Sequence, residues 1–148
     1  MSRPVAWGGR PGLALAVTAA AVLAAAPAFA RDFTPEEIIH RHVDAANRGD
    51  VAAMAADYAP DAVILEPGRA THGRAAIQAQ FDGIFGPAAK FHFKVTPTRI
   101  WSEGDVGFIT WTANNGQFGG QDTYLVRHGQ ILVQAVYIPR RAPRPSLK

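Results

Sequence analysis

The chain contains no cysteine. That absence excludes disulfide staples, a thiolate nucleophile and thiolate metal ligands, so the fold must rest on its apolar core alone. Histidine offers little in exchange. Of the five, only His40 and His42 lie close together, and a spacing of two puts them on different faces of a helix, which argues against a zinc site. Long hydrophobic runs are also scarce. The one candidate, "LALAVTAAAVLAAA" (Leu13 to Ala26), is too short and too alanine-rich for a convincing membrane span.

That run is instead the middle of a leader. Arg3 and Arg10 precede it, and "AFA" (Ala28 to Ala30) has the small-x-small form of a cleavage site. Residues 1–30 are therefore expected to be a cleaved secretory signal, with a retained anchor as the alternative, and the product is expected to be secreted, into the periplasm. A mature chain from Arg31 is long enough for one domain with one core.

A basic surface is missing too, despite a formal net charge of +3. Two basic residues belong to the leader and four to the tail "RRAPRPSLK" (Arg140 to Lys148), which leaves nine in residues 31–139 against all twelve acidic ones, a net −3. No basic stripe interleaved with aromatics remains, which argues against a nucleic-acid partner. The Pro-rich tail, 140–148, reads as disordered.

What is present is a series of well-punctuated elements. In "DFTPEEIIHRHVDAANRGD", Thr34 is an N-cap, Pro35 the first helical residue and Glu37 the return partner of a capping box. Ile38, Ile39, Val43 and Ala46 make one stripe, with His42 on or beside it, and Gly49 ends the helix. A short second helix is capped by Asp50 and carries Val51, Met54, Ala55 and Tyr58. A strand Ala62–Glu66 follows, then the turn "PGRATHG" and a third helix with Ile77, Phe81, Ile84 and Phe85 at helical spacing. Four strands complete the chain: about Lys90–Trp101, Val106–Asn114, Gly119–Arg127 and Gln130–Ile138, separated by "SEGD", "NNGQ" and "HG". Helices first and an antiparallel sheet afterwards predict an α+β domain over 31–139 with the helices on one sheet face.

The candidate chemistry lies in three ionisable residues. The strand "DAVILE" ends in Glu66 immediately before Pro67-Gly68, either as an exposed strand end or as the polar group of a pocket. His42 faces inward from the first helix. Asp122 shares a strand face with Tyr124 and Val126. A carboxylate among apolar side chains loses hydration, and its pKa rises toward the range useful for proton transfer. Each of the three also has a structural reading: a solvated Glu66, a core His42 satisfied by a partner, and an Asp122 bonded to His42.

The order of elements, with "AANRGDVAAMAADYAPDAVILEP" joining two helices to a strand and "HGRAAI" opening the third helix, resembles the nuclear transport factor 2-like superfamily, and within it the SnoaL-like and ketosteroid isomerase-like proteins. The resemblance spans about Thr34 to Ile138. It implies a curved sheet closed by three N-terminal helices into a cone around an apolar cavity, and a lean toward dimers through the sheet face. Residue by residue, Glu66 before Pro67 stands where the isomerases carry a general-base Asp. Asp122 in "DTYLV" stands where they carry an oxyanion-binding Asp, and His42 before Val43 where they carry an oxyanion-binding Tyr. On that pattern Glu66 abstracts a proton beside a carbonyl while His42 and Asp122 hold the oxygen. Tyr58 at the cavity mouth, with Trp101, Trp111 and Tyr124 in the walls, completes the expected site for a small apolar molecule. No cofactor and no metal is expected. The alternative is a non-catalytic binding module, or one that assembles as a dimer.

Overall fold

The computed structural model describes residues 32–90 and 94–139. The expected leader, the basic tail and Phe91 to Phe93 lie outside the described residues. The order is α1 (Pro35–Arg48), α2 (Val51–Ala56), β1 (Tyr58–Glu66), β2 (Arg69–His72), α3 (Arg74–Phe85), β3 (Val95–Glu103), β4 (Val106–Ala113), β5 (Phe118–Arg127) and β6 (Gln130–Tyr137). This is an α+β fold built on one curved, unclosed six-stranded sheet of order β2-β1-β6-β5-β4-β3. No helix among the described residues is long and apolar enough to cross a membrane.

Local chemistry accounts for the helices. Thr34 accepts from the Glu37 amide at 3.3 Å while the Glu37 carboxylate accepts from the Thr34 amide at 2.9 Å, so the capping box is closed at both ends. Such a cap contributes about 1 kcal/mol. Gly49 then turns left-handed at φ 68° and stops α1. The buried side of α1 carries Ile38, Ile39, His42, Val43, Ala45 and Ala46. It sits hard against the sheet because Gly107 has no side chain: a Cβ there would lie 2.7 Å from Ile39 Cδ1 and 2.9 Å from Pro35 Cβ.

Three features of the sheet depart from the sequence reading. The segment read as a turn contains a strand. Pro67-Gly68, with Gly68 at φ 79°, closes a hairpin in which Glu66 pairs with Arg69 and Val63 with His72. Tyr58 does not end the second helix but begins β1, pairing with Ile131 before the register shifts on the way to Val63. Also, β1 runs parallel to β6, whereas every other neighbouring pair is antiparallel.

The registers define two faces. On the concave face one row runs Ile100, Ile109, Asp122, Val136, and another runs Gly107, Tyr124, Gln134, Ile64. The core, with Ile38, Ile39, Met54, Ile64, Ile77, Ile109 and Ile131 all nearly inaccessible, fills the space between this face and the helices. Burying each such side chain stabilises the fold by about 1.5–3 kcal/mol. On the convex face a row runs Trp101, Phe108, Thr123, Ala135, Leu65.

Candidate active site

Between the concave face and α1 and α3 lies a cavity of about 130 Å³. Its wall is mostly apolar, with Ile64, Phe81, Ile84, Phe85, Ile109 and Trp111 prominent, and its polar groups are His42, Glu66, Gln80, Asp122, Tyr124 and Gln134. A larger groove of about 460 Å³ runs past the C-terminal ends of α1 and α3. It is lined by Asn47, Arg48 and Lys94, and Asn47 is already committed to both backbone groups of Val95. The smaller cavity holds the acid–base groups.

His42 reaches this cavity from the buried side of α1, 5% exposed, and its orientation is fixed from behind. Nδ1 lies 3.2 Å from Oδ2 of Asp57, which caps the end of α2. Asp57 is itself only 2% exposed, and its Oδ1 accepts from Arg41 Nε at 2.7 Å and Nη2 at 2.6 Å. An acceptor at Nδ1 holds the proton there and leaves Nε2, which has no hydrogen-bond partner among the described residues, as the basic nitrogen. The rings of Tyr58, Phe81 and Tyr124 surround the imidazole at 5.5, 5.6 and 6.2 Å. Neither Asp57 nor Arg41 stood among the residues expected from sequence.

Asp122 faces His42 from β5 and is 8% exposed. Its Oδ2 accepts from Tyr124 Oη at 3.2 Å and from Gln134 Nε2 at 3.1 Å. Its Oδ1 is buried without a hydrogen-bond partner. Burial pushes this carboxyl above the usual carboxylate range, against the opposing pull of Trp111, Tyr124, Gln134 and His42. With Oδ2 already taken by two donors, a proton on the group belongs on Oδ1.

Gln134 is the hub behind this carboxyl. Its Nε2 donates to Asp122 and, at 3.2 Å, to Tyr124 Oη, while its Oε1 accepts from Tyr58 Oη. Burial, and then the neighbouring Asp122 charge, push both tyrosines well above the ordinary phenol range, so both remain donors. Tyr58, expected at the cavity mouth, is fully buried and does not line the cavity: it sits behind and orients Gln134.

Glu66 stands at the rim. Its Oε2 accepts from the Arg69 guanidinium and, at 3.1 Å, from Gln80 Nε2, whose own Oε1 accepts from Thr71 Oγ1 at 2.7 Å. The same carboxylate lines an outer groove with Pro67, Arg69, Val136 and Ile138, so it occupies the junction between cavity and surface. Trp111 and Tyr124 line the cavity. Trp101, expected in the wall, does not: it lies on the convex face, 38% exposed, its ring tilted 42° to that of Phe108 at 4.2 Å, with the Arg99 guanidinium 4.7 Å from its ring. A register shift between Pro97 and Arg99 turns Ile100 inward and Trp101 outward. Among the described residues no three His, Asp or Glu side chains are grouped as metal ligands.

A SnoaL-like domain family model matches residues 39–133. Among solved structures, the chain is similar to an NTF2-like protein of unknown function from Cytophaga hutchinsonii, with a TM-score of 0.61 and 17% identity over 74% of this chain and 94% of that one. It is also similar to a candidate ketosteroid isomerase from Kribbella flavida, with a TM-score of 0.65 and 17% identity over 75% of this chain and 82% of the other. A third likeness is to SalBIII, an epoxide hydrolase/cyclase-like enzyme in pyran ring formation in polyether salinomycin, with a TM-score of 0.61 and 19% identity over 71% and 90% of the two chains. No curated protein matches the sequence. Identities this low speak for the fold alone.

Proposed function

The chain belongs to the SnoaL-like domain family, within the NTF2-like superfamily, and from that premise we propose that it performs acid–base chemistry on a small, largely apolar molecule bearing a carbonyl or hydroxyl oxygen. His42 is the base and Asp122 the acid. One observation carries the reading: the imidazole held by Asp57 and the carboxyl with its unpaired Oδ1 share one apolar cavity. In the reaction, His42 Nε2 takes a proton from the carbon beside a carbonyl. Asp122 Oδ1–H meanwhile hydrogen-bonds the oxygen as it becomes an enolate, and His42 returns the proton at a second carbon. Tyr124 and Gln134 hold Asp122 in place for this. Glu66, which the isomerase pattern would make the base, has its Oε2 engaged by Arg69 and Gln80 and serves the rim instead. Export to the periplasm belongs to the same proposal, on the charge and hydropathy of residues 1–30.

The test compares two substitutions, followed by the exchange of α-hydrogens for deuterium in a panel of small cyclic enones. His42→Gln is expected to lower exchange by about 10²–10⁴-fold, and Glu66→Gln by less than about tenfold. The opposite order would return the base to Glu66. No exchange by the wild type on any enone would remove the catalytic reading.

The convex face favours an assembly role beside this one. Leu65, Trp101 and Tyr137 are 45%, 38% and 52% exposed, and the first two lie at opposite ends of one cross-strand row. An apolar strip of that kind suits a second copy of the chain. Trp101→Glu is expected to halve the mass seen by sedimentation. Equal masses for variant and wild type would discard the dimer.

A further inference from the structure

Part of the cavity wall is Trp111, laid over a gap in β5. Trp111 on β4 pairs across the sheet with Gly120 on β5. A Cβ at Gly120 would stand 2.8 Å from Trp111 Cζ2, 2.8 Å from the Tyr137 carbonyl oxygen and 3.2 Å from Ile138 Cγ1, so the indole and the chain at the end of β6 together fill the space where a side chain of β5 would be. The Phe118 ring meets the indole edge-on, with centroids 6.1 Å apart and planes at 86°. Asp122 is the next inward residue of β5. Packed against Gly120 and Phe118 and only 8% exposed, Trp111 is a fixed wall.

We propose that Trp111, seated on Gly120, limits the site to molecules of a single six-membered ring, with their oxygen at Asp122. The placement of the oxygen rests on the acid–base reading above; the size limit rests on the cavity. An apolar cavity of about 150 Å³ holds one benzene, and this one measures about 130 Å³. The enclosed volume leaves no room for a fused second ring while the indole stays in place, and a four-ring skeleton would need an enclosed cavity several times larger.

Titration calorimetry with phenol, 2-naphthol and a four-ring phenolic steroid tests this, because each presents a hydroxyl oxygen on a scaffold of increasing length. The wild type is expected to bind phenol at least about tenfold more tightly than 2-naphthol, and to give no heat with the steroid. Trp111→Leu is expected to reverse the first preference. The ratio of affinities is read, since it cancels any loss common to both ligands from removing the indole. If circular dichroism shows that the leucine variant does not fold, Trp111→Phe, smaller by one ring, is expected to narrow the same ratio. Equal binding of phenol and the larger ligands by the wild type overturns the proposal, as does an unchanged ratio in a folded variant. Binding of 2-naphthol or the steroid without phenol sinks the size limit and leaves the acid–base reading standing. If none of the three binds the wild type, that reading falls and takes the size limit with it.

Discussion

Replacing Asp57 with alanine is expected to destabilise the fold by about 3 kcal/mol and to abolish turnover. The carboxylate is inaccessible and answers two groups at once, Arg41 through Oδ1 and His42 through Oδ2. Removing one partner of a buried pair leaves the other uncompensated, at a cost of about 3–5 kcal/mol. Here the lower end applies, because the Arg41 side chain is 39% exposed and recovers water. The backbone need not move, since the Asp57 carbonyl still accepts from the Ile131 amide at 2.8 Å. Urea unfolding measures the loss. The more telling variant is Asp57→Asn. Its oxygen can still face Arg41, and its amide then presents N–H to Nδ1 of His42. The imidazole must accept there, which moves its own proton to Nε2 and leaves no base in the cavity. Turnover is expected to fall by about 10³–10⁴-fold with far less loss of stability than in the alanine variant, as when an orienting carboxylate is amidated behind a catalytic histidine. Wild-type turnover in Asp57→Asn would show that Asp57 does not set the tautomer of His42.

Part of this site was legible in the sequence, and the rest was hidden by contacts that only the fold creates. Short-range signals were dependable. The Thr34–Glu37 box, the Gly49 stop and the His128-Gly129 turn, both residues at positive φ, stand where local chemistry puts them. Asp122 was legible because period-two alternation placed a carboxylate among inward residues. Gln134 sent the same signal, a polar residue between Leu132 and Val136 on the inward side of "ILVQAVY", and it passed for an ordinary strand residue. Asp57 sent none. At the end of a short helix it reads as a solvated cap, and its burial depends on Arg41 and His42, sixteen and fifteen residues away. Trp101 was misplaced because it lies beside an irregular register, between Pro97 and Arg99, where one extra residue moves a side chain to the other face. Tyr58 was misplaced because α2 stops at Ala56 and the strand begins earlier than its apolar run suggests. The four-residue β2 was masked by turn-forming glycines on both sides.

Asp122→Asn is expected to move stability and turnover in opposite directions. Tyr124 Oη and Gln134 Nε2 both donate toward Oδ2, so the new amide must keep its oxygen there and set its nitrogen at the unpartnered Oδ1 position. The fit is close, but an amide N–H is a weaker donor to a developing enolate than a carboxylic O–H, and turnover is expected to drop by about 10²-fold. Stability follows from the sign of the shift. Burial raises the Asp122 pKa in the folded chain, so across the window from the unfolded value, about 3.9, up to the folded one, the native state holds more protons than the unfolded state. The contribution of this group therefore favours folding below that window, declines as pH climbs through it, and stays unfavourable at neutral pH. Asparagine has no charge to bury. Thermal melts at pH 3.5 and pH 7 should thus show the variant gaining on the wild type as pH rises, with the other carboxylates cancelling in the difference. Parallel melting curves at the two pH values would mean that Asp122 ionises in the folded state as readily as in the unfolded one, and a carboxyl of that kind is no proton donor at neutral pH.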